Sequence, residues 1–171
     1  MYKVGGSMAL TRALEKQIKN RRRSQLFTWI LGIVVFFNDY ADSVITGNAS
    51  KDINAKYRVS REKLSYVMDA TAAPMATFGP VSDWIGYQVS LLAAAFATIG
   101  IAGTQPYFAF LHSIPWNFYC LLSLIMVPLI IFGKDFGPMA KAELRALKEG
   151  KIIRDGDTPL SSVENDLGEP V

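Results

Sequence analysis

Lysine and arginine are absent from two long parts of this 171-residue chain, residues 24–50 and residues 64–133. All 18 of these basic residues fall in three short blocks, 1–25, 51–63 and 134–154. A helix in water needs a solvated face, where long basic side chains are common, so gaps of this length argue against a water-facing surface. The chain is therefore predicted to be an integral membrane protein whose basic blocks anchor it at the cytoplasmic face.

Three other classes of protein are disfavoured by single features. The basic run at 21–23 could contact nucleic acid, but apolar residues follow it at once, so no nucleic-acid partner is expected. Cys120 is the single cysteine, which excludes an internal disulfide and a cysteine metal cluster. Residues 1–25 and the apolar run after them lack a cleavage site of small residues, so no signal peptide is expected.

The hydrophobic runs divide the chain into a membrane region, two surface segments and a tail. Residues 1–25 are predicted to form a basic amphipathic helix on the cytoplasmic surface, and 134–154 a second surface helix there. Residues 26–133 form the predicted membrane region. The acidic segment 155–171 has few large apolar groups and is predicted to be a disordered tail.

Two stretches of the membrane region, 84–103 and 117–133, are predicted to span the bilayer, because each approaches the roughly 20 apolar residues that a crossing helix needs. The residues between them, 104–116, contain no lysine or arginine and are predicted to form an outside loop with aromatic side chains near its ends. Both chain termini are then expected on the cytoplasmic side.

The helix predicted over residues 61–82 contains several residues that interrupt helices. Ser60 is a typical N-cap, so the helix is expected to start directly after it. Pro74, Gly79 and Pro80 are expected to break it. A bilayer tolerates such a break only where protein or water satisfies the released backbone groups.

Residues 26–48 begin as the apolar run LFTWILGIVVFF and end in the polar stretch NDYADSVITGN. A full span would place the basic block 51–63 outside, against the charge rule, whereas a hairpin that enters and returns would keep it inside. The polar second half favours a re-entrant or broken helix folded into protein. A full span stays the alternative.

Four aspartates lie in these apolar segments with no basic side chain among them: Asp39, Asp42, Asp69 and Asp83. An isolated carboxylate at mid-membrane depth costs about 2.5–3.5 kcal/mol, so a fold that keeps several is expected to use them. Their simplest use is to bind a hard cation such as sodium, which prefers oxygen ligands. Protons compete for the same oxygens, and this competition is sufficient for exchange.

Two of the four aspartates also have a structural interpretation. Asp42 can be a polar residue where a helix reaches the surface, and Asp83, beside Trp84, can lie at the membrane interface. Asp39 and Asp69 are the stronger candidates for a site, because membrane-compatible sequence flanks each of them on both sides.

At these residues the sequence resembles the NhaC-type sodium/proton antiporter family. The resemblance covers about residues 9–154 and depends on RRRSQLFTWILGIVVFFNDYADSVITGN, YRVSREKLSYVMDATAAPMATFGPVSDWIGYQ and DFGPMAKAELRA. It implies an all-α membrane protein of transmembrane helices with a broken or re-entrant helix, similar to part of an inverted-repeat secondary transporter that works by alternating access. Only the C-terminal part of such a transporter is matched.

The resemblance also implies site residues. The FxDDY-like stretch of the family falls on Phe37–Tyr40 and its DSTAAP-like stretch on Asp69–Pro74, with Asn38 where an acid is usual and Ala70 where serine is usual. Asp39 and Asp69 are then the expected principal ligands of sodium and of the proton. The expected supporting residues are Asn38, Asp42 and Thr71.

The expected function is exchange of sodium for protons in the inner membrane of a bacterial or archaeal cell, with no cofactor. Two alternatives remain: a sodium- or proton-coupled exchanger of organic anions, although the apolar segments lack the basic residue that a carboxylate cargo favours, and a non-transporting membrane subunit. The expected partners are lipid and either the missing N-terminal transporter helices or a partner subunit.

An enzyme is not expected. Paired membrane aspartates can cut peptide bonds inside the bilayer, but that chemistry depends on a YD and a GxGD element. Tyr40 is followed by alanine, and Asp69 and Asp83 follow VM and VS, so neither element is present.

Overall fold

A computed structural model describes residues 18–101 and 103–157 of the chain. These residues form seven α-helices and one short 3-10 helix, with no β-strand among them, which confirms the all-α prediction. Most of the predicted surface helix at 1–25, and the predicted tail from residue 158 onward, lie outside the described residues.

The seven helices are of moderate length. They are α1 Arg21–Val34, α2 Asp39–Lys56, α3 Arg61–Phe78, α4 Asp83–Ile99, α5 Pro106–Ser113, α6 Phe118–Phe132 and α7 Gly137–Lys148, with the 3-10 helix Ile114–Trp116 between α5 and α6.

Several helix boundaries follow from local capping. The predicted N-cap Ser60 is confirmed, because its Oγ accepts a hydrogen bond from the Lys63 backbone N–H at 3.2 Å and so satisfies a free donor in the first turn of α3. Asn38 caps α2 in the same way, with its Oδ1 2.7 Å from the Ala41 backbone nitrogen. α3 continues through Pro74 to Phe78, so the expected interruption falls only at residues 79–82.

Helices α1 and α2 form an antiparallel hairpin. Ser24, near the start of α1, contacts Asn54, near the end of α2, while Gly32, near the end of α1, lies against Asp42, near the start of α2. α3 packs against both helices of this hairpin, and α6 packs against α3. Val67 of α3 forms the apolar centre of the bundle with two residues of α6, Val127 and Ile131.

The three basic blocks meet at one end of this bundle, which we call the basic end and define by Arg21, Lys63, Asp135 and Glu143. Glu143 of α7 is only 3% exposed and pairs with Arg21. Its Oε1 accepts a hydrogen bond from the Ser60 backbone N–H at 2.8 Å. Nζ of Lys63 lies 2.6 Å from Oδ1 of Asp135. The hairpin therefore returns the chain to the end at which α1 began.

No described helix is, by itself, both long and apolar enough to cross a membrane, although Pro106–Trp116 and Phe118–Phe132, bent by 46°, pass the test together. The prediction of a loop at 104–116 is therefore wrong, because most of these residues are helical. The proline at position 106 starts this helix at a position where a missing N–H costs nothing. The predicted spans 84–103 and 117–133 overlap α4 and α6.

Candidate functional site

One face of α2 carries polar side chains at four-residue spacing: Asp42, Thr46, Ser50 and Asn54. Residues four apart lie one above the other on a helix, so these side chains form one row. The row faces inward, since its members are at most 2% exposed. Burying a polar group without a hydrogen-bond partner costs free energy, so this buried polar row needs partners on the facing helix.

Helix α1 supplies those partners at the basic end of the row. Asn54 Nδ2 donates a hydrogen bond to Thr28 Oγ1 at 2.8 Å, and Asn54 Oδ1 accepts one from Ser24 Oγ at 3.1 Å. Ser24 and Thr28 are fully buried. We call the set Ser24, Thr28, Asp42, Thr46, Ser50 and Asn54 the polar seam. Small polar residues let membrane helices approach closely and bond to each other.

Asp42 lies at the other end of the polar seam and is 2% exposed. Thr46 Oγ1 donates a hydrogen bond to its Oδ1 at 2.5 Å. Its Oδ2 faces Gly32 of α1, where a methyl group added to the glycine would lie 3.4 Å away. Thr71 of α3 packs against the same glycine. Asp42 therefore lies where α1, α2 and α3 meet.

The charges around Asp42 do not neutralise it. Asp39 lies one helical turn from Asp42 on α2, where two like charges repel each other. Residues 24–50 contain no lysine or arginine. The described partner of the carboxylate is a neutral hydroxyl, so a proton or a cation is needed to balance its charge.

Two of the predicted site residues, Asn38 and Asp39, lie at the turn between α1 and α2. Asn38 Nδ2 donates a hydrogen bond to the Asp83 carboxylate, so Asn38 joins this turn to the first residue of α4. Asp39 is half-buried, and its Oδ1 accepts a hydrogen bond from the next backbone N–H at 3.0 Å. Asp83 itself is exposed. This group is near the tip of the hairpin.

Asp69 and Thr71 lie on opposite sides of α3. Thr71 is fully buried against Gly32, and its Oγ1 donates a hydrogen bond to the Val67 carbonyl at 2.6 Å. Residues two apart on a helix point nearly opposite ways, so Asp69 faces away from Asp42, and it is exposed. The structure thus brings Asp42 and Thr71 together but does not bring Asp69 to them.

The geometry suits binding of one hard cation or one proton rather than a multi-carboxylate metal centre. Within 18–101 and 103–157, no three histidine, cysteine, aspartate or glutamate side chains lie together as a metal site. Asp42 supplies one carboxylate, and Thr46 supplies a hydroxyl oxygen that is hydrogen-bonded to it. Oxygens of these types are the usual ligands of hard cations.

Sequence reasoning missed Thr46 and Gly32, and it ranked Asp42 below Asp39. The four-residue spacing from Asp42 to Asn54 is visible in the sequence and marks one polar face of the helix, although the burial of that face depends on contacts distant in sequence. An isolated glycine in an apolar helix, as at position 32, signals a close approach by another element. Which element approaches is not encoded locally.

A sequence model of the Na+/H+ antiporter family matches residues 75–165, more than half of the chain. The chain belongs to the Na+/H+ antiporter family. Membership implies a location in the membrane and suggests a transporter rather than an enzyme, with sodium ions and protons as the transported species.

A relative from Haemophilus influenzae, described as an uncharacterized protein, is 36% identical over 145 residues. The alignment covers 84% of this antiporter-family chain but only 28% of that relative. The chain thus spans little more than a quarter of the relative's length. No solved structure matches the chain significantly.

Proposed function

We propose that the chain is the C-terminal part of an NhaC-type sodium/proton antiporter and that Asp42 is its principal ion-binding carboxylate. One observation carries the proposal: Asp42 is 2% exposed, at the meeting point of three helices, with the Thr46 hydroxyl as its hydrogen-bond partner. The nearest basic positions in sequence are Arg23 and Lys51. A sodium ion or a proton is the group that completes such a carboxylate.

Competition at one carboxylate is sufficient for exchange. Loss of the proton leaves a negative charge in a dry place, which costs several kcal/mol unless a cation replaces it. Sodium binding in turn favours the ionised form and expels the proton. If the site faces one side of the membrane at a time, each sodium that leaves is replaced by a proton.

The roles of the other predicted ligands change. Thr46 supports Asp42 directly through its hydrogen bond, and Thr71 packs against Gly32, which also faces Asp42. Asp39 lies one turn nearer the hairpin tip and would attract cations toward Asp42. Asn38 holds the hairpin tip against Asp83.

The basic end supports a cytoplasmic placement of both ends of the hairpin. The block 51–63 lies beside Arg21 and beside α7, so a re-entrant hairpin satisfies the charge rule where a full span would violate it. We propose that both termini are cytoplasmic and that the membrane is the inner membrane of a bacterial or archaeal cell.

The exposure of Asp69 supports the proposal that further helices pack against this bundle. An exposed carboxylate in the middle of a membrane helix is costly against lipid, so we propose that it faces further helices of the antiporter or a water-filled cavity beside them. The length of the relative is consistent with such helices. Alternating access would then involve motion between those helices and this bundle.

The test is to measure sodium-driven proton movement across the membrane of sealed vesicles. The chain is tested alone and together with the remaining part of the antiporter polypeptide, with a fluorescent pH indicator as readout. We expect sodium to collapse an imposed pH gradient, and Asp42→Asn to abolish this activity. Asp52→Asn is the matched control, because Asp52 is an exposed aspartate on the same helix.

Three results would count against the proposal. Full exchange by Asp42→Asn would show that Asp42 is not the ion-binding carboxylate. Asp39→Asn and Asp69→Asn would then test the two other acids. Uptake of a carboxylate at constant sodium would favour the organic-anion exchanger. Absence of exchange in every combination of folded polypeptides would favour a non-transporting subunit.

A further inference from the structure

Gly32 is a buried residue of α1 that directly faces two other helices. A methyl group added there would lie 3.0 Å from Cγ2 of Thr71 and 3.4 Å from Oδ2 of Asp42. The first separation is shorter than two carbon atoms tolerate without a shift. Glycine costs a helix interior about 1 kcal/mol relative to alanine, so a position that keeps it has a use for the close approach.

The close approach fixes the space around one oxygen of Asp42. The Thr71 methyl and Oδ2 of Asp42 both border the position that a Cβ atom of residue 32 would occupy, and glycine leaves that position open. Protein interiors are close-packed, so an addition or a loss of one methyl group here changes the volume open to an ion. A cation beside Oδ2 has to fit within this space.

We infer that Gly32, together with the methyl group of Thr71, determines which cation the antiporter accepts. The inference rests on the proposed function of Asp42. With no side chain at position 32, α1 lies close to Asp42 and Thr71, and the site admits a proton or a small dehydrated ion. Potassium, which is larger than sodium, is excluded by the same close packing.

Gly32→Ala and Thr71→Ser change this space in opposite directions. Gly32→Ala adds a methyl group against Thr71 and is expected to raise the sodium concentration for half-maximal exchange about tenfold, as overpacking of about 1.4 kcal/mol would. Thr71→Ser removes the Cγ2 methyl and keeps the hydroxyl. It is expected to let potassium compete about tenfold better, because one methyl group is worth about that much in discrimination.

The double variant Gly32→Ala/Thr71→Ser provides the decisive comparison. The new methyl group replaces the one that was removed, so sodium affinity and discrimination against potassium should both return to within about threefold of the wild type. A purely structural role for Gly32 would change stability without changing the sodium-to-potassium ratio. Melting temperatures of the purified variants separate these two effects.

Two glycines provide matched controls. A methyl group at Gly47 of α2 would meet only the flexible end of Met68, 2.7 Å away, and one at Gly86 of α4 would meet nothing within 4 Å. Gly47→Ala and Gly86→Ala are expected to exchange sodium with wild-type affinity.

The inference is overturned if Gly32→Ala keeps the wild-type sodium dependence, or if Thr71→Ser fails to relieve its defect. If Gly32→Ala does not fold, Thr71→Ser carries the test alone, and an unchanged potassium competition overturns the inference. Full exchange activity of Asp42→Asn would instead contradict the proposed function of Asp42. The two failures are therefore distinguishable in the same vesicle assay.

Discussion

The polar seam and the basic end are both buried and polar, but they balance their charge in different ways. At the basic end each buried charge has an opposite partner, as Glu143 has Arg21, and Lys63 has Asp135. In the polar seam, neutral hydroxyl and amide groups bond to one another, and the single carboxylate, Asp42, has a hydroxyl partner.

The difference separates a structural region from a region that can bind an ion. A carboxylate already paired with a fixed cation gains little from sodium, whereas one among neutral oxygens gains its whole counter-charge. Burial lowers the pKa of the Arg21 guanidinium, and the negative charge of Asp135 offsets part of this effect. We therefore expect mutations at the basic end to affect folding and those near Asp42 to affect exchange.

The largest expected effect concerns the side of the membrane on which residues lie. In a background with Cys120→Ser, single cysteines at Arg22, Asp52 and Lys148 should all react with a membrane-impermeant maleimide from the cytoplasmic side and none from the other. These three positions are exposed and represent the three basic blocks. Labelling of Asp52→Cys from the opposite side would show that residues 26–48 cross the membrane.

The next effect is on stability at the basic end. Glu143→Ala removes the buried acid that pairs with half-buried Arg21, at a cost of about 3 kcal/mol, the lower end of the range for breaking a buried ion pair. Glu143→Gln keeps an acceptor for the Ser60 backbone N–H and should lose about half as much. Thermal unfolding in detergent measures both, with exposed Glu149→Ala as control.

The rate of sodium/proton exchange per folded molecule should equal that of the wild type in both Glu143 variants. A large change in sodium affinity with unchanged stability would contradict the assignment of the basic end as structural.

A smaller effect is expected in the half of the polar seam that is distant from Asp42. Asn54→Ala removes the hydrogen bonds to Thr28 and Ser24, and such bonds between membrane helices are worth about 0.6–2 kcal/mol. The melting temperature should fall modestly, while the sodium concentration for half-maximal exchange stays unchanged because Asn54 lies three helical turns from Asp42. A shift in that concentration would mean that the whole seam binds the ion.

The smallest effect is expected at the hairpin tip. Asn38→Ala removes the N-cap of α2, worth about 1 kcal/mol, and the bond to Asp83. Asn38→Ser keeps a capping oxygen without the amide donor, so it separates the two contributions. Equal melting temperatures for Asn38→Ser and wild type would show that the bond to Asp83 contributes little.

Much of the fold is predictable from the sequence because it depends on local signals. Ser60 marks the start of α3 through its own capping bond, and the basic blocks mark the segments that meet outside the apolar core. The all-α class follows from the same patterns. The helix at 106–113 is missed, since an aromatic sequence without charges suits both an interfacial loop and a helix.

The identity of the buried acid is less predictable because it depends on contacts distant in sequence. Asp39 and Asp42 lie three residues apart on one helix, and local sequence does not indicate which one a returning helix covers. The contact of Gly32 with Thr71 decides it, and these residues are brought together only when α1 packs against α3. The packing of Thr71 against α1 also directs Asp69, two residues earlier on α3, to the opposite side of α3.

Proton release on sodium binding is the most direct test that one carboxylate binds the two ions in turn. Sodium added to the purified, weakly buffered antiporter should release protons in proportion to the sodium bound, because binding of the ion favours the ionised carboxylate. Asp52→Asn should release the same number of protons as wild type, and Asp42→Asn should release none. Sodium binding without proton release, or undiminished release from Asp42→Asn, would contradict the account.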